Sequence, residues 1–258
     1  MRLPLFRTKP AGPVAAPERL DASSAAIIVT ETLPGGLPVP VLWRRNVRAR
    51  RISLRIDARR GHAVLTLPGR VGRKAGLELL YRHAEWVEEK LAMLPPPLLF
   101  QNGATIPFNG REVVICHDGQ ARGVVRLEGE TLHVSGDPAF LKRRVQDWLR
   151  REAQKRFSTL TLAKAAAAGL KPRRVSIKDT VSRWGSCAPD GSIAYSWRLI
   201  MAPPYVQDYV AGHETAHLKH MNHSADFWAL CVQLTPYRAQ ATAWLRQEGG
   251  RLMRVGVG

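Results

Sequence analysis

The sequence is poor in cysteine, in acidic side chains and in long apolar runs. It has three cysteines, Cys116, Cys187 and Cys231, in 258 residues. So sparse and odd a set builds no disulfide framework and points to a reducing compartment. Asp and Glu number 21 against 39 Lys and Arg, a formal net charge of +18. A field of that sign attracts polyanions, so nucleic acid or a nucleotide joins peptide or protein among the candidate partners. No apolar run approaches the ~20 residues of a membrane helix. The basic, Pro- and Ala-rich start has no stretch resembling a secretory h-region, and the expected location is cytoplasmic. Nor is there a visible internal repeat, a GxSxG frame around Ser186, or a zinc-finger, RRM or helix-turn-helix pattern. A serine hydrolase therefore has little support.

What remains is ample apolar material, 45% of the chain, for a packed core. The expected class is α+β, in three parts. Residues 1–24 read as a flexible tail. Residues 25–135 read as a β-rich region with one helix. Strand-like alternation covers Arg51 to Ile56 and Ala63 to Leu67, and an amphipathic helix runs from Gly72 to Leu94, where three prolines follow. Leu77, Leu80, Tyr81, Ala84 and Val87 form its apolar side. Residues 136–258 read as a metal-site domain. It has a long helix from Asp137 to about Ala168, short strands at Val175 to Lys178 and Ser192 to Trp197, and a helix starting at Pro203-Pro204. A break near Met221-Asn222 and two closing helices complete it.

His213-Glu214-Thr215-Ala216-His217 is HExxH. Histidines at i and i+4 share one helix face, so both imidazoles reach one ion, and the intervening Glu214 reaches a water on it. Chance produces this pattern in a chain of this length on the order of one time in a hundred. A catalytic zinc takes three protein ligands and keeps one position open. His220 and His223 are the candidates for the third. On an unbroken helix His220 lies ~10 Å along the axis from His213, which makes a row and not a tetrahedral corner. A turn at Met221-Asn222 brings His223 back onto the ion, with Asn222 and Ser224 as turn and cap residues. His223 is the favoured ligand, and His220 supports a ligand or faces solvent. One zinc per chain is expected, with Glu214 as the base that activates a zinc-bound water for hydrolysis. The oxyanion needs a donor. Tyr195, Tyr205, Tyr209, Arg183 and Arg198 qualify by chemistry, and the sequence does not choose among them.

Trp184 and Trp228 suit a cleft wall or the core. Cys187, in the Trp184-Gly185-Ser186-Cys187 turn, suits packing better than thiol or ligand chemistry, with Gly185 allowing a tight strand corner. Eight arginines (44, 45, 48, 50, 51, 55, 59 and 60) with a single acid, Asp57, lie between Leu42 and Arg60. Alternation on a strand places several on one face, and Arg48, Arg50 and Arg51 are candidate phosphate contacts. The seven Lys and Arg between Leu141 and Arg156 read as a solvated helix face.

Arg183-Trp184-Gly185-Ser186-Cys187, Gly191-Ser192-Ile193, Trp197-Arg198-Leu199, Pro203, Asp208-Tyr209-Val210 and the stretch HETAHLKHMNHSADFW together resemble the YgjP-like metallopeptidase family, which is similar to the WLM and SprT-like zincins. The resemblance runs roughly from Arg44 to Gly249 and is dense from Arg183 to Trp228. It implies a small zincin fold with HExxH and a third histidine, matched here by His213, Glu214, His217 and His223. His220, Tyr209, Arg183, Trp184 and Arg198 are the surrounding candidates for supporting or substrate-binding roles. Ser196 stands where the usual member has an Asn, so no substrate contact carries over from that segment. A zinc hydrolase, most simply a metallopeptidase, is the leading reading. A metal-dependent nucleotide phosphohydrolase of the triphosphate pyrophosphatase type, or a nucleic-acid-associated protein with a structural metal, stands as the alternative. Glu214 argues against the structural metal, which has no use for a base.

Overall fold

The computed structural model describes residues 26–119 and 125–257, so the expected tail at 1–24 lies outside the described residues. Its contacts divide them after Pro96 into two compact units. The class is α+β as expected, with three small sheets and a long helix.

The first unit, 26–96, begins with four strands, β1 (Ile27–Thr32), β2 (Pro38–Asn46), β3 (Ser53–Asp57) and β4 (His62–Pro68), in the order β1-β2-β4-β3. β2 and β4 run parallel in the middle, and both outer pairs are antiparallel. Val39, Val41 and Trp43 alternate inward from β2, as a half-buried strand requires. They meet Leu80, Ala84 and Val87 in one core. These three come from two helices, α1 (Arg73–Arg82) and α2 (Ala84–Ala92), where the sequence suggested one. His83 leaves helical geometry at φ −113° and ψ 23°, and the kink lets both short helices turn their apolar residues inward. Tyr81, expected on the apolar side, is 42% exposed.

The second unit, 97–257, opens with β5 (Thr105–Phe108), β6 (Arg111–Asp118), β7 (Val125–Glu128) and β8 (Thr131–Ser135), in the order β5-β6-β8-β7. The middle pair is again parallel and the outer pairs antiparallel, so the topology of the first sheet occurs twice. The sequence shows no such repeat, because strand alternation and turn placement set this topology without shared residues. These strands share a core with the helices C-terminal to them, so the boundary expected at 135 falls inside this unit. Asp137 caps a 3-10 turn by accepting from the Ala139 N–H. It leads into α3 (Leu141–Ala167), a helix of 27 residues. Val145, Leu149, Ala153, Phe157, Thr161 and Ala165 recur on its buried side at four-residue steps.

A third sheet, β10-β11-β9, combines β9 (Arg174–Lys178), β10 (Gly185–Cys187) and β11 (Ser192–Ser196). β10 is antiparallel and β9 parallel to β11. Three helices close the unit: α4 (Pro204–Ala216), α5 (Ala225–Leu234) and α6 (Arg238–Met253). α4 is anchored near its start. At its start Gln207 Nε2 donates to Asn109 Oδ1 at 2.9 Å, to the Ala202 carbonyl at 2.8 Å and to the Ile200 carbonyl at 3.3 Å. The next residue, Asp208, takes Lys164 at 2.7 Å and the Thr235 hydroxyl at 2.7 Å. Further along, α4 and the end of α5 approach closely at Gly212, where a Cβ would lie 2.8 Å from Thr235 Cγ2.

That approach yields a test of what seats α4. The Thr235 hydroxyl is tied to Asp208, so its methyl cannot swing away from a side chain at 212. Gly212→Val is therefore expected to destabilise by about 2 kcal/mol, overpacking exceeding the helix-propensity gain. Denaturant melts read it, and a variant as stable as the parent refutes the tight seat.

Candidate metal centre

α4 ends at Ala216, and His217 is its C-cap at φ −66° and ψ −17°. The helix tightens there, with Leu218 N–H reaching Thr215 and Lys219 N–H reaching Ala216. The break thus comes before Met221-Asn222, earlier than the sequence suggested. The reason lies in the histidine: the turn brings the His220 carbonyl 2.9 Å from His217 Nδ1. Ser224 then starts α5 as its N-cap, accepting from the Phe227 N–H.

This path brings His213, His217 and His223 together, with candidate donor atoms all within 4.8 Å of one another. Their ring centroids form a near-equilateral triangle with sides of 4.9, 5.0 and 4.8 Å. His213 Nε2 and His223 Nε2 stand 3.1 Å apart. Phe227 packs against all three, at 5.0, 4.5 and 4.7 Å. Burial lowers each imidazole below its ordinary range, and mutual repulsion and Arg238 add to it for His213, which falls to about 2. Neutral imidazoles keep a lone pair to donate, and a backbone carbonyl at Nδ1 of His217 directs its other nitrogen to an ion. The donor set therefore fits a metal ion.

Glu214 is 2% exposed and lies against Gly185 of β10, where a Cβ would stand 2.6 Å from Glu214 Cγ. Gly185 thus does more than shape a strand corner: the missing side chain is the space that Glu214 occupies. Burial pushes the Glu214 carboxyl up to about 8, with the Arg183 charge opposing the rise. A cation in the triad acts in the same sense as Arg183 and favours the carboxylate.

The remaining candidates divide. Arg183 is exposed, and its charge reaches Glu214. Tyr209 is buried one turn before His213, 5.9 Å from it and edge-on, its phenol raised by burial. His220 is half-buried and offers its backbone carbonyl to His217. Tyr205 lies 6.2 Å from Tyr237. Trp184 is buried against Gly249 of α6. Tyr195 is committed to the core, bonded to Thr161 at 2.9 Å and stacked on Phe157. Arg198 is fully buried, paired with Asp179 and donating to the Val255 carbonyl at 3.0 Å, so its guanidinium braces the fold. Burial pushes the Cys187 thiol up to about 12, which makes it a poor nucleophile. Arg48, Arg50 and Arg51 are exposed in the first unit, around the turn between β2 and β3.

Trp228 was expected at a cleft wall or in the core, and Arg238 escaped the sequence reading. Trp228 stacks on His223 at 5.4 Å and 23°. Arg238, the first residue of α6, sits with its guanidinium carbon 3.5 Å from the Trp228 ring centroid. No motif links a residue at that position to HExxH, and only the packing of α6 reveals it.

Comparison with known proteins adds a family. The model of the YgjP-like metallopeptidase domain matches residues 50–248, the greater part of the chain. Among curated proteins and among solved structures, nothing matches.

The geometry predicts how metal affinity distributes over the histidines. His223→Ala removes one of three converging donors and should weaken zinc binding at least tenfold. His220→Ala should leave affinity within about threefold, because only its backbone carbonyl is used. Competitive zinc titration of both variants decides, and a larger loss in His220→Ala refutes the assignment.

Proposed function

The chain belongs to the YgjP-like metallopeptidase family, and from that premise we propose a zinc-dependent peptidase in which His213, His217 and His223 hold the ion and Glu214 is the base. The observation that carries the proposal is the convergence of three imidazoles, with the buried Glu214 next to His213 in the chain. Two nitrogens at the ~2.0–2.1 Å zinc distance and a tetrahedral angle stand ~3.3 Å apart, close to the 3.1 Å separating His213 and His223. Three histidines leave the open fourth position that distinguishes a catalytic from a structural site. When bound there, zinc polarises the scissile carbonyl and makes water acidic enough to deprotonate near neutrality.

The chain's own residues supply the rest. The Glu214 carboxylate accepts the proton of the attacking water and returns it to the leaving amine. Gly185 leaves that side chain its place, since a Cβ there would occupy the same space. Arg183 favours the ionised form of that carboxylate against the opposing effect of burial. Tyr209 keeps its proton, so it is a donor and not a base.

Glu214→Gln is expected to retain zinc and fold while losing peptide hydrolysis by at least a hundredfold, because an amide accepts no proton. Gly185→Ala should keep zinc but lose activity through displacement of Glu214. Metal content and turnover of a peptide pool measure both. Activity in Glu214→Gln near that of the parent refutes the assignment of the base.

The exposed arginines of the first unit support a second binding property. Arg44, Arg45, Arg48, Arg50, Arg51 and Arg55 all face solvent along β2, its turn and β3. That density of charge suits a nucleic-acid or nucleotide phosphate group. Replacing Arg48, Arg50 and Arg51 by Gln should flatten the salt dependence of binding to a labelled oligonucleotide, since fewer counterions are released. Salt-insensitive binding of equal strength by parent and variant removes polyanions as partners.

A further inference from the structure

Arg238 is a cation placed beside a site that takes a cation. Its guanidinium lies 3.5 Å from the centroid of Trp228, and the same ring stacks on His223 and stands 5.9 Å from His213. The side chain is exposed at the start of α6, and among the described residues no carboxylate pairs with it. Repulsion between this charge and a bound metal dication works against both. An anion lying near them turns that cost into attraction.

The stack also prepares the guanidinium to bind. A planar cation lying on an indole face is fixed in orientation while the N–H groups at its edge remain free. Those edges match the two oxygens of a carboxylate. A peptide brings such a group in two ways, as its C-terminal carboxylate or as an Asp or Glu side chain. An extended peptide advances ~3.5 Å per residue, so a carboxylate one or two residues from the scissile bond comes within the reach of a side chain packed one ring away from His223. Building on the peptidase reading, we propose that Arg238, oriented by Trp228, is a specificity-determining residue that binds a substrate carboxylate close to the bond being cut.

The test separates this subsite from the catalytic reading by measuring binding without turnover. The zinc-loaded Glu214→Gln chain is titrated with three labelled hexapeptide pools, randomised at four positions. One ends in a free carboxylate, the second in an amide, and the third in an amide preceded by Glu. Fluorescence anisotropy should show the free-acid pool, the acidic amide pool, or both bound about tenfold more tightly than the plain amide. The preferred pool identifies the source of the carboxylate. Adding Arg238→Gln should reduce the preference below twofold. Arg238→Lys, which keeps the charge without the planar fork, should leave an intermediate preference. Unchanged zinc content and melting temperature in both variants establish that the site is intact, and if one variant misfolds the other carries the test. Equal preference with and without Arg238, or no preference in the parent, overturns the proposal. Cleavage of the same pools by the chain with Glu214 intact is scored separately. Discrimination without cleavage leaves the carboxylate subsite standing and removes the peptidase reading; cleavage without discrimination does the reverse.

Discussion

Three imidazoles converge in the second unit, with the buried Glu214 next to one of them in the chain, and much of that unit can be understood as the means of holding them there. Removing an ionised group from water costs several kcal/mol unless an opposite charge compensates it. Burial drives these groups toward neutrality: His213 falls to about 2 and Glu214 rises to about 8. A dication reverses the balance for the carboxylate and uses the imidazole lone pairs at once. Metal affinity, the state of Glu214 and local stability are therefore linked quantities in this fold.

Such a cluster persists only where the surrounding structure leaves it no alternative. Phe227 touches all three rings and denies them room to rotate apart. Gly185 forms a notch in β10 that Glu214 fills. Behind these contacts, Gln207 and Asp208 anchor the first turns of α4 to Asn109, Lys164 and Thr235, residues drawn from a strand turn, the long helix and the end of α5. A side chain held on a helix with an anchored start keeps its geometry better than one on a loop. The exposed surroundings behave differently. Arg183 and Arg238 are exposed, and their charges act on Glu214 and on His213 respectively.

The second sheet shows how topology can be invisible in residues. β5 to β8 repeat the order and strand directions of β1 to β4 with no evident sequence similarity. Alternation and turns determine that pattern, and many residue sets satisfy them. Helix termini behave in a related way. Asp137 and Ser224 act as caps through local hydrogen bonds and could be read directly. The kink at His83 and the early end of α4 at Ala216 arise from burial and from the His217–His220 contact, which local propensity does not encode.

The sequence alone determined the α+β class, the HExxH pair with Glu214 beside it, and the preference for His223 over His220, because helix periodicity and rise are properties of the local chain. It also read Cys187 as unreactive. Tertiary structure decided everything that depends on two distant segments meeting. It turned Arg198 and Tyr195 inward to Asp179 and Thr161, set Gly185 against Glu214, and stacked Arg238 on Trp228 beside His223. An arginine or tyrosine carries the same chemistry whether it braces a core or faces a substrate, and the difference lies in what the folded chain places next to it.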